Sequence, residues 1–185
     1  MRKILISIFG LMLLSACGSP NQNLPSAEIV EQIQSAQEVR KSVEVKLTQT
    51  KISPKTFKIS VLLDNVEQKP ITSARTWLSY NPQELKIIKI NTQNSDFNLA
   101  APGEENFDAE KGLIQIGRSK TDGPLTLRML QMAEITVEKM ATGATVLDFY
   151  NYQPDASGHT NVNFLLEGEV YNLAQKPVSP AVVIE

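Results

Sequence analysis

Cysteine, histidine and tryptophan each occur only once in this chain of 185 residues, and these scarcities exclude several kinds of protein. A single cysteine leaves no intramolecular disulfide, so a fold outside the cytoplasm must be held by packing and hydrogen bonds alone. With one histidine, a histidine-based metal site and a Ser-His-Asp relay both lack parts. The phosphate-binding loop, the nucleophile elbow and the dinucleotide fingerprint are also missing. We therefore do not expect an enzyme.

Basic residues are not in excess, because 18 Lys and Arg stand against 20 Asp and Glu, a formal net charge of -2. They form no cluster, so nothing favours a nucleic-acid partner.

Long hydrophobic runs are missing as well. The most apolar stretch, residues 4–14, would extend about 17 Å as a helix, against roughly 30 Å of hydrocarbon in a bilayer. We expect neither nucleic-acid binding nor a permanent membrane span.

The first 17 residues have the pattern of an export signal. Arg2 and Lys3 precede the apolar run, and small residues follow it. The end of the run, Leu14-Ser15-Ala16-Cys17, resembles the bacterial lipobox, whose cysteine receives a diacylglyceryl group before cleavage. We predict a lipoprotein signal peptide over residues 1–16 and lipidation at Cys17. The alternative is a buried or free cysteine near a conventional cleavage site.

Lipidation at Cys17 would determine where the protein resides. Stable anchoring needs at least two acyl chains, which this modification supplies. The protein is then expected in the cell envelope, lipid-anchored to a membrane and facing away from the cytoplasm. By resemblance to Gram-negative lipoproteins, Gly18 in place of aspartate allows the outer membrane or cell surface. Loss of Arg2 and Lys3 with the signal moves the formal charge from -2 to about -4.

The rest of the chain divides into a tether, a short helix and one domain. Residues 17–25 are small, polar or proline except for Leu24, which suits a flexible lipidated tether. Residues 26–41 are predicted to form a short helix or stalk, because Ser26 can cap it and Ile29, Val30 and Ile33 share one face. Residues 42–185 are long enough for one domain with a real core.

After Lys41 the apolar pattern changes to the two-residue period of half-buried strands. Turn-rich segments separate the strands, and no helical pattern intervenes, which indicates an all-β sandwich. The predicted strands are residues 43–47, 57–63, 72–80, 85–90, 113–117, 132–137, 145–150 and 163–173. Buried side chains are expected at Ala74, Leu78, Ile135, Val137, Leu147 and Phe149.

Alternation along residues 72–80 places Ala74, Thr76, Leu78 and Tyr80 on one face and Ser73, Arg75, Trp77 and Ser79 on the other. The first set suits the core. Trp77 then lies beside Arg75 on the outer face, where an aromatic ring next to a guanidinium suits recognition of a partner. The alternative is that Trp77 is structural and packs under the predicted helix or under residues 96–108.

Two other features invite a functional interpretation. Glu104, Glu105, Asp108 and Glu110 crowd one segment, which suits either a calcium ion, an acid/base pair or a solvated hairpin tip. The spacing matches no calcium loop, so we favour the solvated tip and expect no cofactor. His159 lies in a turn-rich segment without a second ligand, and we expect it to be a solvated loop residue.

The order of the strands resembles that of a cohesin domain, a nine-stranded jelly-roll sandwich. The resemblance covers residues 43–173. Cohesins have a strand ending in Tyr-Asp-Pro before a Leu-rich strand, then a hairpin with a glycine, then a strand of the type Ala-x-Ile-x-Val. The matching residues here are Tyr80-Asn81-Pro82 with Leu85, Gly112 to Ile116, and Ala133, Ile135 and Val137.

This resemblance implies protein recognition, because cohesins bind dockerin modules through an exposed sheet face. It implies partner-binding residues at Ser73, Arg75, Trp77 and Gln115, with Gln115 on the same face of a neighbouring strand. Well-known dockerin-binding cohesins have Asn and Asp where this chain has Ser73 and Arg75, so the partner is expected to be dockerin-like or another surface protein. Related jelly rolls bind polysaccharide, and the alternative function is therefore a carbohydrate-binding module.

Overall fold

The computed structural model describes residues 42–185, so the predicted signal peptide, Cys17, the tether and the short helix lie outside the described residues. Within residues 42–185 there are strands and no helix. No helix long and apolar enough to cross a membrane is found there. The strands are β1 (Val43–Lys51), β2 (Thr56–Asn65), β3 (Ser73–Tyr80), β4 (Leu85–Asn91), β5 (Leu99–Ala100), β6 (Asn106–Asp108), β7 (Leu113–Ser119), β8 (Met129–Lys139), β9 (Thr145–Phe149), β10 (Asn161–Leu166), β11 (Glu169–Asn172) and β12 (Val182–Ile184).

These strands form two antiparallel sheets. The first has the order β1-β2-β8-β4. The second has the order β11-β10-β3-β7-β5, with β9 also paired to β3, β12 paired to β9 and β6 paired to β7. Alternation is strict along β2 of the first sheet, where every second residue from Phe57 to Asn65 is buried. The all-β sandwich predicted from the sequence is confirmed.

The core lies between the two sheets and contains the predicted residues. Ala74, Leu78, Ile135, Val137 and Leu147 are buried, and Phe149 is partly buried and packs against them. Thr76 and Tyr80 are buried too, as the alternation predicts. Thr76 Oγ1 lies 3.3 Å from Thr160 Oγ1, so its hydroxyl has a partner inside the sandwich.

The predicted strand over residues 163–173 is wrong in one respect, because it is a hairpin. β10 and β11 pair antiparallel, and the two residues between them, Glu167 and Gly168, have φ angles of 50° and 86°. Positive φ at both turn positions is the geometry that closes a two-residue hairpin. The short strands β5, β6 and β12 carry too few residues to show alternation and were not predicted.

The outer faces of the two sheets differ in chemistry. On the first sheet, ion pairs cover the surface: Lys46 lies 2.7 Å from Asp64 and Lys58 lies 2.9 Å from Glu134. Hydrogen bonds from Lys46 to Asp64 and to Glu44 raise the pKa of its ammonium group. The lysines of these pairs are partly exposed and the carboxylates are mostly covered. The second sheet carries the tryptophan and is described next.

Candidate binding face on the second sheet

Strand β3 occupies the centre of the second sheet, and its partner changes partway along one edge. On that edge β10 pairs with Ser73, Ala74 and Arg75, whereas β9 pairs with Leu78, Ser79 and Tyr80. Trp77 lies at the gap between these two partners. The chain leaves β9 and returns to β10 through residues 150–160, and this loop passes over the gap.

The backbone of Trp77 holds both ends of that loop. Its N–H donates to the carbonyl oxygen of His159 at 3.0 Å, and its carbonyl oxygen accepts from the N–H of Tyr150 at 2.8 Å. The loop is fixed further by Asn172, whose amide Nδ2 donates to the carbonyl oxygens of Pro154 and Asp155 at 3.3 and 3.1 Å. The loop position therefore follows from the sheet.

Trp77, Tyr150 and His159 form an aromatic cluster on the outer face. The ring centroids of Trp77 and His159 are 4.2 Å apart with planes 27° apart, which is a stacked pair. Tyr150 is tilted, 6.2 Å from Trp77 and 5.3 Å from His159. His159 lies in a loop, as predicted, but its imidazole is half-buried against the indole rather than fully solvated. Tyr150 remains 39% exposed.

Trp77 is partly a surface residue and partly a structural one, so both alternatives drawn from the sequence apply to it. The side chain lies on the outer face beside Arg75, but it is half-buried under residues 150–159 rather than under residues 96–108. Its indole Nε1 is shielded from solvent and has no hydrogen-bond partner. Trp77 therefore supports the loop with part of its surface and leaves the rest at the exposed face.

The other predicted site residues lie on the same face. Gln115 of β7 is directly opposite Trp77, Gly117 is opposite Arg75, and Ser119 is opposite Ser73. Directly opposite residues of an antiparallel pair share one face of the sheet. Ser73, Arg75, Trp77 and Gln115 are thus brought together as the sequence predicted, whereas their role in binding stays a prediction. We call this surface, with Tyr150 and His159, the β3 face.

The acidic segment folds back onto the β3 face. Glu104 Oε1 lies 2.6 Å from Arg75 Nε, and the Glu104 side chain is only 7% exposed. This contact is an ion pair without an aligned hydrogen bond, since Arg75 Nε makes none. Glu104 reaches Arg75 by lying over Gly117, where an added Cβ would come within 1.5 Å of Glu104 Oε2.

Glu105 pairs with a different arginine, which belongs to β7. It forms an ion pair with Arg118, whose Nη2 also donates to the carbonyl oxygen of Phe97 at 2.8 Å. Glu105 has φ at 80°, in the left-handed region that glycine favours. The predicted solvated tip is therefore wrong for Glu104 and Glu105, which are paired with arginines.

Asp108 and Glu110 occupy the tip of this segment. Asp108 Oδ2 lies 3.0 Å from Lys111 Nζ, and Glu110 is exposed. Hydrogen bonds from the backbone and the side chain of Lys111 hold the pKa of Asp108 below its ordinary value. In the part of the chain from 42 to 185, no three His, Cys, Asp or Glu side chains are grouped to hold a metal ion.

Several residues of the face escaped the sequence analysis. Tyr150 continues the outward alternation of β9, which is a signal that was available. Gly117 lies inside a strand, where an isolated glycine indicates close approach by another group. Nothing local indicated that Asn161 and Asn163 of β10 would lie opposite Arg75 and Ser73, because β10 pairs with a strand far away in the sequence.

Comparisons with known proteins bear on the fold. No protein-family model and no curated protein matches the sequence. Among solved structures, a type II cohesin from the cellulosome of Acetivibrio cellulolyticus is 16% identical, with TM-score 0.52 over 77% of this chain and 94% of that one. The cohesin of a type I OlpA cohesin–dockerin complex from Clostridium thermocellum is 15% identical, with TM-score 0.52 over 74% and 94% of the two chains.

A third structure is the third ScaC cohesin of Acetivibrio cellulolyticus, solved in complex with the ScaB dockerin. It is 11% identical, with TM-score 0.54 over 72% of this chain and 92% of that cohesin. Identities this low establish similarity of fold. The chain therefore has a cohesin-like jelly-roll fold, as the sequence resemblance predicted, and residues 42–185 supply its strands.

Proposed function

We propose that this protein is a cell-envelope lipoprotein, anchored through lipid at Cys17, whose cohesin-like domain recognises another protein without catalysis. The Leu-Ser-Ala-Cys pattern after a short apolar run supports the anchor. A domain held on such a tether in the envelope meets partners at the membrane surface, outside the cytoplasm. Recognition by an exposed sheet face is a function that suits a tethered sandwich.

The observation that carries the proposal is the composition of the β3 face. Trp77, Tyr150 and Arg75 belong to the residue types that contribute most to protein interfaces. Tyr150 is exposed, and a third of the Arg75 side chain is accessible, 35%. The outer faces of the described strands of the first sheet lack these types and carry ion pairs between lysines and carboxylates instead. The β3 face is therefore the better candidate for binding.

The solved cohesins suggest the kind of partner. The OlpA and ScaC cohesins were each solved in a complex with a dockerin. We propose a dockerin-like module or another surface protein as the partner of this chain. Ser73 and Arg75 differ from the Asn and Asp that the resemblance associates with this position, so the recognised surface is expected to differ as well.

Carbohydrate binding is the second candidate, and the aromatic cluster is the observation that favours it. Aromatic rings and an arginine side by side are suited to stacking on sugar rings. The stacking of His159 on Trp77 and the tilt of Tyr150 mean, however, that the three rings do not form one flat platform. We therefore rank protein recognition first.

Affinity capture from envelope extract tests the proposal. The bait is the mature lipoprotein in detergent, compared with Tyr150→Ala and with Lys58→Ala as the control. Lys58 lies on the outer face of the first sheet in a partly exposed ion pair with Glu134, so its loss leaves the β3 face intact. We expect a specific protein to be captured by wild type and by Lys58→Ala, and to be reduced by Tyr150→Ala.

A folded Trp77→Ala/Tyr150→Ala double variant decides between the outcomes. If it captures the same protein at wild-type yield, the β3 face is not the binding site. If wild type retains polysaccharide but no protein, and the double variant loses the polysaccharide, the second candidate replaces the first. Circular dichroism of each bait shows that a lost interaction does not come from unfolding.

A further inference from the structure

A small cavity opens on the β3 face beside Arg75. Its volume is about 100 Å³, and its lining includes Ser73, Arg75, Glu104, Gly117, Asn161 and Asn163. A water molecule takes up roughly 30 Å³ in the liquid, so the space suits the head group of one side chain. We call it the Arg75 pocket.

Two oxygen atoms of residues that line the pocket have no hydrogen-bond partner. They are Glu104 Oε2 and Asn163 Oδ1, and both are shielded from solvent. The Glu104 side chain is 7% exposed, so this carboxylate oxygen is unpaired in a buried position. Buried polar atoms are nearly always hydrogen-bonded in folded proteins. These two atoms are acceptors, and two donors of lining residues, Arg75 Nε and Arg118 Nε, have no hydrogen-bond partner either, so the missing group must both donate and accept.

The neighbours of these two oxygens hold them in place before any ligand arrives. Asn163 Nδ2 lies 3.0 Å from Ser73 Oγ and donates to it, which leaves Oδ1 free. Glu104 Oε1 faces Arg75 Nε at 2.6 Å, which leaves Oε2 free. Gly117 provides the room for the Glu104 carboxylate, since a Cβ at that position would collide with it. Both side chains are thus held by partners, and their free oxygens are covered, so a ligand reaches them when the side chains around them shift.

We propose that the Arg75 pocket takes a primary amide, the head group of an asparagine or glutamine side chain on the partner. This inference rests on the proposed protein recognition. The NH₂ of an amide has two donors, which matches Glu104 Oε2 and Asn163 Oδ1. Its carbonyl oxygen accepts from the guanidinium of Arg75, which carries five N–H donors.

Charged head groups suit the pocket less well. A carboxylate is attracted by Arg75 but repelled by Glu104 and brings no donor, whereas an ammonium group is attracted by Glu104 but repelled by Arg75 and brings no acceptor. The Arg75–Glu104 pair is neutral as a whole, so a neutral ligand loses the least on leaving water. A single hydroxyl has one donor and satisfies only one of the two oxygens.

Titration with small probes tests the pocket directly. The ¹⁵N-labelled mature protein in detergent is titrated with acetamide, sodium acetate or methylammonium chloride at matched ionic strength. We expect acetamide to shift the backbone amide signals of Ser73, Gly117 and Asn163 in a saturable manner, and at least several-fold more than either ion. Equal or larger shifts with acetate or methylammonium, or no saturable shift with acetamide, would overturn the proposal.

Variants confirm which atoms respond. Glu104→Gln replaces an acceptor oxygen by an NH₂ group and is expected to reduce the acetamide shifts at least threefold. Glu134→Gln is the matched control, because Glu134 also pairs with a cation, Lys58, but on the first sheet. If Glu104→Gln does not fold, Asn163→Ser, which shortens the other acceptor, carries the same expectation. Wild-type shifts in the folded variant would contradict the proposal.

Failure of the pocket and failure of the proposed function give different results. If acetamide does not bind but Tyr150→Ala still loses the captured protein, the pocket is wrong and protein recognition stands. If acetamide binds but no protein depends on the β3 face, the amide partner is wrong and the proposed function fails with it. When the partner is identified, replacement of its contacting Asn or Gln by Asp should weaken binding at least tenfold.

Discussion

Arg75 and Gly117 lie directly opposite each other in the ladder between β3 and β7, and Glu104 fills the space above the glycine. The absence of a side chain at position 117 therefore determines which group pairs with Arg75. An ordinary residue at position 117 would leave the arginine on the sheet but would displace its carboxylate. The β3 face depends on this one glycine for its charge balance.

Replacement of Gly117 by alanine should expel Glu104. The added Cβ would come within 1.5 Å of Glu104 Oε2 and 2.9 Å of the Ala101 Cβ, so the segment above it must move. We expect the free energy of unfolding in urea to fall by about 1 to 3 kcal/mol. Gly143→Ala is the control, because nothing lies within 4 Å of its added Cβ. Equal losses in the two variants would show that Glu104 is not held over Gly117.

Substitutions on the inner and outer faces of the sandwich should differ in their cost to the free energy of unfolding. Leu78 is fully buried in the centre of β3, and we expect Leu78→Ala to cost about 2 to 5 kcal/mol of unfolding free energy. Lys58→Ala on the outer face of the first sheet should stay within about 0.5 kcal/mol. Urea denaturation measures both. Similar small effects would refute the assignment of inner and outer faces.

Fluorescence can test the stacking of His159 on Trp77, because Trp77 is the only tryptophan. His159→Ala removes a ring whose centroid is 4.2 Å from that of the indole, and solvent then reaches more of the indole. We expect the emission maximum to move to longer wavelength while the protein remains folded. Ser157→Ala, in the same loop but exposed, is the control. An unchanged spectrum for His159→Ala would contradict the stacked arrangement.

The proposed anchor gives a prediction that does not depend on the fold. Cys17→Ser should abolish metabolic labelling with a fatty-acid probe and move the protein from the membrane fraction to the soluble fraction. The reason is that no other cysteine is available to accept the lipid. Ser15→Ala serves as a control, since it keeps the cysteine and a small residue before it. Persistent labelling of Cys17→Ser would disprove the anchor.

The outer and inner faces of β3 were predictable because alternation is a local property of the chain. The side of the sheet on which Trp77 lies follows from its distance in sequence to Leu78 and Thr76 alone. Its stacking partner was not predictable, because His159 reaches Trp77 only through the registers of β9 and β10 on β3. Registers between distant strands are set by packing of the whole sandwich.

The acidic segment shows what sequence neighbours alone could not predict. Four carboxylates near a turn indicate a solvated loop when each is considered with its sequence neighbours only. The partners of Glu104 and Glu105, Arg75 and Arg118, belong to strands of the sheet and are revealed only when the segment folds over its edge. Gly117 was the one local signal, since a glycine inside a strand indicates that another group approaches the backbone.

The change of partner along β3 also has a consequence for how this domain diversifies. β9 and β10 are each fixed by their own ladders on β3, so the loop of residues 150–160 begins and ends at positions that do not depend on its length or composition. Insertions and substitutions at its exposed positions, residues 153–155 and 157, would alter the surface near Trp77, whereas Thr160 is buried against Thr76 and belongs to the core. The loop resembles the hypervariable loops of an antibody in this respect, and it is the natural place to graft or select new specificities on this scaffold.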